Sequence, residues 1–315
     1  MGSVLTFGET MGLVRATDIG GWETVSAAQV GIGGADSNVA IGLSRLGIPV
    51  SWIGRVGDDA LGRRITREIR GEGVRIRAII DPSHPSGLML KERPTPTRTR
   101  VTFYRSHSAG SQLSPEDIRD RDIEESEIVI INGVTASLSD SARQAALSVA
   151  RRARTAGVTI AFDVNHRASL WHGRQPGPLY AEIARASDIV FAGDDEARLL
   201  LGISDASPEL LAERLSGLGP GEVVIKSGAN GALSRVNGTT VQAAAIPIDP
   251  VDTVGAGDAF VAGYLAALLH GHSPFDRLSL GVRCGAFACL GPGDWESLPR
   301  LADLEILNPA DPVSR

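Results

Sequence analysis

The feature that most constrains the fold is an alternation of short apolar, β-branched runs with longer stretches of helical spacing. Candidate strands lie at residues 4–8, 50–54, 128–132, 158–164, 189–192 and 223–226, and candidate helices at 38–46, 62–72, 139–156, 194–201 and 208–218. Two consecutive helices, about 256–270 and 274–290, fill the final third. Strands alternating with helices predict an α/β fold: a mostly parallel sheet covered by helices on both faces. At 315 residues the chain has room for one large α/β domain or two smaller ones. Ser114-Pro115-Glu116-Asp117 carries a capping hydroxyl, a proline for the first helical position and two acids for the first turn, so a short helix is expected to start there.

One region departs from the alternation. Residues 87–92 and 98–105 are strand-like and joined by Arg93-Pro94-Thr95-Pro96-Thr97, which cannot continue a helix. A protruding β-hairpin is the simplest reading, and because an isolated hairpin is marginal in water it needs further strands, for which residues 22–30 are the candidate. Such a small sheet over one edge of the main sheet has the geometry of a lid. An ordinary antiparallel edge of the main sheet is the alternative.

The strongest chemical signal is Asp252-Thr253-Val254-Gly255-Ala256-Gly257-Asp258, which opens a helix of small and apolar residues. Gly255, Ala256 and Gly257 carry almost no side chain, so backbone N–H groups at the positive end of a helix are free to meet an anion. Asp258 falls in the first turn of that helix. A carboxylate there makes electrostatic sense if it acts on the nucleophile that attacks the anion. An ordinary acidic first turn is the plainer alternative.

A second cluster, Gly31-Ile32-Gly33-Gly34-Ala35-Asp36-Ser37-Asn38, also precedes a helix. It nearly spells the dinucleotide fingerprint, but Asp36 stands at the third glycine and would repel a pyrophosphate, so a nicotinamide dehydrogenase is disfavoured. Asp36 and Asn38 suit sugar hydroxyls instead, and Gly33 and Gly34 let a sugar approach the backbone. Third, Lys226-Ser227-Gly228-Ala229-Asn230-Gly231 ends an apolar strand at the place where doubly wound sheets bind nucleotides. It is not a P-loop, since the lysine precedes the glycines. Arg105 and Arg167 supply guanidinium groups suited to a carboxylate or phosphate.

Composition closes several other routes. Asp and Glu (37) outnumber Lys and Arg (31), and no basic stripe exists, which argues against nucleic-acid partners. Two cysteines, Cys284 and Cys289, read as a buried helix face rather than a disulfide or zinc site. No apolar run of about 18 residues is present, and Met1-Gly2-Ser3 leads directly into an apolar strand, so a cytoplasmic location without membrane contact is expected.

Together, Gly33-Gly34-Ala35-x-x-Asn38 and Asp252-Thr253-x-Gly255-Ala256-Gly257-Asp258 resemble the ribokinase-like (PfkB) family of carbohydrate kinases. Its 2-keto-3-deoxygluconate kinase branch is resembled by Gly8-Glu9, Tyr104-Arg105-x-x-Ser108-Ala109, Asp163-x-Asn165-x-Arg167-x-x-Leu170-Trp171 and Gly293-Asp294-x-Glu296-x-Leu298-Pro299. The resemblance runs from about residue 4 to 305 and implies a three-layer sandwich with a small β-sheet lid. On that basis residues 1–315 form a single kinase domain with lid segments at about 10–30 and 86–106.

The resemblance also implies roles. Asp258 would be the base, with the backbone of Gly255, Ala256 and Gly257 holding charge on the transferred phosphoryl group. Gly34, Asn38, Met89, Phe103, Tyr104, Arg105, Arg167 and Asp294 would contact a sugar acid. Asn165, Lys226, Ser227, Gly228, Ala229, Asn230 and Gly231, with Gly255 and Gly257, would border ATP. Mg2+ would be held indirectly through Glu196. Two departures stand out: the family's N-x-x-E appears as Gly193-Asp194-Asp195-Glu196, and Met89 occupies a position where the branch commonly offers a tyrosine hydroxyl. The expected activity is ATP- and Mg2+-dependent phosphorylation of the terminal hydroxyl of 2-keto-3-deoxygluconate. Another sugar kinase of the family (fructokinase or ribokinase) and a non-catalytic sugar- or nucleotide-binding protein are the alternatives. Relatives often dimerise through the lid, so a homo-oligomer of that kind is a further expectation.

Overall fold

The computed structural model describes residues 3–307 apart from positions 97 and 172. Residues 1–2 and 308–315, counted above in the expected single domain, and Thr97, counted in the segment joining the expected hairpin strands, lie outside the described residues. The strands are β1 (Val4–Phe7), β2 (Met11–Ile19), β3 (Ala28–Gly33), β4 (Val50–Gly57), β5 (Arg75–Asp81), β6 (Leu88–Thr95), β7 (Arg98–Tyr104), β8 (Ile128–Asn132), β9 (Thr159–Asp163), β10 (Ile189–Gly193), β11 (Glu222–Lys226), β12 (Ala232–Val236) and β13 (Thr239–Ala243).

Among the described residues these strands form two sheets. The larger runs β13-β12-β11-β10-β9-β8-β1-β4-β5, parallel except for the β11-β12-β13 meander at one edge. Residues alternate between its two faces. Ile128 and Ile130 of β8 join a core with helices Ala35–Arg45, Ala60–Gly71, Ala256–Leu269 and Pro274–Ala288. Val129 and Ile131 join the opposite core, under helices Asp140–Ala156, Gly177–Ala186, Asp194–Leu201 and Pro208–Ser216. Two cores on one sheet give three layers.

Local chemistry sets the helix boundaries. Ser139 Oγ accepts from Ala142 N at 3.1 Å to start helix Asp140–Ala156, and Gly157, at φ 72°, ends it in the left-handed conformation that glycine adopts without strain. Helix Ala256–Leu269 is apolar nearly all round because it is buried between the sheet and two neighbouring helices. Around Ser114 the expected short helix is a single 3-10 turn, Pro115–Asp117, with Asp117 Oδ2 accepting from Ser114 N at 2.8 Å. Cys284 and Cys289 are free and buried. No helix among the described residues is long and apolar enough to cross a membrane.

The smaller sheet runs β3-β2-β6-β7. The β6-β7 hairpin is present as expected from sequence, with Met89 opposite Phe103. Its neighbour differs from the expected 22–30 strand: β2 (Met11–Ile19) pairs with β6, β3 pairs with β2, and Trp22–Ala27 lies in the connection. Gly20 and Gly21 interrupt the strand there, and Trp22 N donates to Glu92 Oε2 at 2.6 Å instead of to a ladder partner.

Candidate active site

At the carboxyl ends of the parallel strands, facing the small sheet, lies a cavity of about 380 Å³. Open α/β sheets place their ligands at this end. Gly34, Asn38, Met89, Phe103, Arg105, Asn165, Arg167, Lys226, Gly255, Gly257, Asp258 and Asp294 all line it, with Glu9, Met11, Val101 and Asp163. Residues up to 285 positions apart in the chain, Glu9 and Asp294, are therefore brought to one place by the fold.

Asp258 sits in the first turn of helix Ala256–Leu269 and is 7% exposed. Asn38 Nδ2, from helix Ala35–Arg45, donates to its Oδ2 at 2.8 Å, and Asn165 Nδ2 donates to its Oδ1 at 3.3 Å. Burial pushes the Asp258 carboxyl up to about 7; the Asn38 hydrogen bond pulls it down, Asp163 pushes it up again, and Arg167 and Lys226 oppose that. A carboxylate titrating near neutrality and held by two amides can accept a proton from a nearby hydroxyl.

Gly255 caps the same helix at φ 82°, and a Cβ there would run into the carbonyl oxygen of Asp294. Only glycine meets both conditions, which fixes how the backbone turns into the helix. Ala256 N is already turned back on Thr253 O at 3.3 Å, and Ala256 does not line the cavity.

Lys226, at the end of β11, pairs with Asp163 Oδ1 at 2.8 Å. Burial disfavours its charge, but the Asp163, Glu196 and Asp258 carboxylates outweigh that and raise its pKa. Ser227 to Gly231 form a tight turn just beyond it, with Ser227 N donating to Gly231 O at 2.9 Å and Ser227 Oγ to Asp194 Oδ1 at 3.0 Å. That turn does not line the cavity. Glu196 is also set back from it: its two carboxylate oxygens accept from His166 N and Gly193 N, each at 2.7 Å. The His166 bond holds the preceding residue, Asn165, at φ 36°, a conformation that asparagine tolerates better than most residues.

The two arginines are not equivalent. Arg105 pairs with Glu9 Oε2 at 2.6 Å, and Ser108 Oγ also donates to Glu9. Arg167 is exposed, gives one hydrogen bond to His166 O at 3.0 Å, and among the described residues has no carboxylate partner. Met11, Met89, Val101 and Phe103 of the small sheet make an apolar wall of the same cavity, with the Arg105 guanidinium 5.5 Å from the Phe103 ring. Tyr104 is a different case from its neighbours: strand alternation turns it to the other face of β7, 59% exposed and away from the cavity. Asp36 also departs from the sugar-binding role expected for it. It is turned inward and accepts from Thr135 Oγ1 at 2.7 Å, and burial pushes its carboxyl up to about 8.

Glu9, Lys91 and Asp163 had no assigned role in the sequence. Lys91 stands two residues after Met89 in β6, so the same alternation that aims Met89 inward aims the lysine inward too.

The geometry has counterparts in known proteins. A family model described as pfkB family carbohydrate kinase matches residues 1–301. A relative in Bacillus subtilis (strain 168), 2-dehydro-3-deoxygluconokinase, is 35% identical over 300 residues, 94% of this chain and 92% of its own. The solved structure of a PfkB protein from Polaromonas sp. JS666 superposes with a TM-score of 0.88 at 32% identity, covering 97% of this chain and 99% of that one. An uncharacterized sugar kinase from Pyrococcus horikoshii, solved in complex with ATP, gives a TM-score of 0.82 at 26% identity, covering 96% of this chain and 97% of that one. With a match across nearly its whole length and a cavity built from the residues that carry the family's motifs, the chain belongs to the pfkB family of carbohydrate kinases.

Proposed function

We propose that this kinase transfers the γ-phosphoryl group of ATP to the terminal hydroxyl of 2-keto-3-deoxygluconate. The observation that carries the substrate is Arg167, without a carboxylate partner among the described residues, in the same cavity as Asp258 and an apolar wall. A guanidinium with no carboxylate partner in the protein suits a carboxylate on the ligand. A wall of Met11, Met89, Val101 and Phe103 offers hydroxyls no partner, and a buried hydroxyl left unpaired costs about 1–3 kcal/mol. A keto-deoxy acid meets both conditions better than a fully hydroxylated neutral sugar. The Bacillus relative's name points the same way.

In this reading Asp258 accepts the proton of the hydroxyl as its oxygen attacks phosphorus, and ADP leaves on the opposite side. Negative charge on the transferred group faces the backbone of Gly255 and Gly257 at the helix N-terminus, where preorganised dipoles stabilise it. Lys226 and the 227–231 turn border the nucleotide. Gly34, Asn38, Phe103, Arg105 and Asp294 position the sugar acid, and Tyr104 drops out of that set within one copy of the chain.

The donor set fits Mg2+ held through water. Among the described residues no three His, Cys, Asp or Glu side chains are grouped to hold a metal alone, yet Asp163 Oδ2 is buried with no hydrogen-bond partner. Asp163 and Glu196 would hold the ion together with nucleotide phosphates, and when bound it neutralises phosphate charge.

The small sheet acts as a lid on one kinase unit, excluding water that would otherwise hydrolyse ATP. Ile19, Val30 and Tyr104 leave apolar surface exposed on it, which supports pairing of two copies there; sedimentation of a monomer at all concentrations would remove that part. An ATP-consuming reaction belongs with the cell's ATP, so the expected location is the cytoplasm. The test of the activity is ADP release with Mg2+: the keto-deoxy acid should be turned over and ribose or fructose hardly at all.

A further inference from the structure

Lys91 is a charged side chain that the mechanism above does not use, and it is almost wholly buried. It does not line the cavity. Its ammonium lies 2.6 Å from Asp252 Oδ2, 2.9 Å from Gly293 O and 3.4 Å from Asp294 Oδ1. An ammonium has three donors, and here there are three acceptors.

Those acceptors belong to two loops. The first runs from Asp252, whose Oδ1 accepts from Val254 N at 3.2 Å, into Gly255 and the helix N-terminus. The second carries Gly293 and Asp294, and the Asp294 carbonyl is packed against Gly255. Lys91 itself comes from neither loop but from the small sheet, more than 150 positions earlier in the chain. Two buried carboxylates facing each other repel unless a cation stands between them, and removing that cation leaves both uncompensated.

We propose that Lys91 is a positioning residue that couples the seating of the small sheet to the shape of the phosphoryl-binding loop. With the ammonium in place the 252–257 and 293–294 loops are clamped together around Gly255. When the sheet lifts, the clamp opens and the backbone that faces the transferred group loses its geometry. The inference rests on the proposed function for the meaning of that loop, and on geometry alone for the clamp.

Hydrogen–deuterium exchange of the whole chain, with Lys91→Met and Lys91→Arg beside it, tests the clamp without any substrate. In Lys91→Met the amides of 252–257 and 293–296 should exchange about 10-fold faster while the central strands keep their protection, and Lys91→Arg should restore most of the protection. Unchanged exchange in Lys91→Met, or acceleration spread over the whole chain, would overturn the proposal. In turnover Lys91→Met should lose about 100-fold in kcat with the KM for ATP within about threefold of wild type, a split that a general loss of folded protein does not produce. If Lys91→Met does not fold, the charge-balanced Lys91→Gln/Asp252→Asn pair carries the same expectation. A wild-type protein that turns over no sugar acid contradicts the proposed function, and the exchange result still decides this inference.

Discussion

Asp258 is placed by two amides and by burial, and each has a measurable consequence. Asp258→Asn keeps the shape and one of the two amide contacts but cannot take up a proton, so kcat should fall by about 1,000-fold with ATP affinity preserved; near-normal turnover would remove Asp258 from the mechanism. Because burial lifts the carboxyl to about 7, kcat/KM should rise with pH through that value as the base is uncovered. The same shift acts on stability. Between the unfolded value of 3.8 and about 7 the folded protein holds a proton that the unfolded chain has released, so stability falls as pH rises across that window. The Tm of Asp258→Asn relative to wild type should therefore rise between about pH 4 and pH 8, and a difference that stays constant with pH would contradict the assignment. At Arg167, truncation to alanine should raise the KM for the sugar acid about 10- to 100-fold, since a charged hydrogen bond contributes about 1.5–3 kcal/mol. The family resemblance of the sequence motifs implied Asp258, Asn38, Asn165 and both arginines as site residues, and all five line one cavity. It could not separate Arg105, already matched by Glu9, from Arg167, which is unmatched. Nor could it tell which face of β7 Tyr104 takes, or that Asp36 turns toward Thr135. Those are facts of packing between segments distant in the chain.

At the level of elements, the helix N-terminus at residues 255–257 depends on a glycine that is both left-handed and in contact with backbone. Gly255→Ala introduces a Cβ into the Asp294 carbonyl on top of an unfavourable φ that costs about 1–2 kcal/mol, so urea denaturation should show at least that loss and kcat should fall with it. Gly257 faces only the end of the flexible Lys226 side chain at 3.8 Å, so Gly257→Ala should cost clearly less stability, and equal losses would argue against this account. The buried strands of the main sheet were legible because residues such as 128–132 are apolar on both faces. Its edge strands β5 and β13 were not, since partial exposure dilutes their pattern with arginine, threonine and glutamine. The hairpin of the small sheet was readable from its prolines, whereas β2 was hidden because one sheet face and one open face mix polar and apolar residues along it.

For the whole molecule, the main sheet brings Asn165 and Lys226 to one end, two helices on its face bring Gly34 and Asp258 there by their N-termini, and the small sheet closes the other side of the cavity with Met89 and Phe103. The α/β class was legible from alternation alone, but that two sheets meet at a shared cavity is a property of tertiary packing that no local pattern encodes. The account's central claim is that this cavity passes phosphate from ATP to a carboxylate-bearing keto-deoxy sugar. It is tested most directly by ADP release from the purified protein with Mg2+, comparing 2-keto-3-deoxygluconate with ribose and fructose. The account predicts a kcat/KM for the acid at least about 100-fold above either neutral sugar, the discrimination that an interaction of a few kcal/mol with Arg167 supplies. Equal kcat/KM values for the acid and the neutral sugars would contradict it.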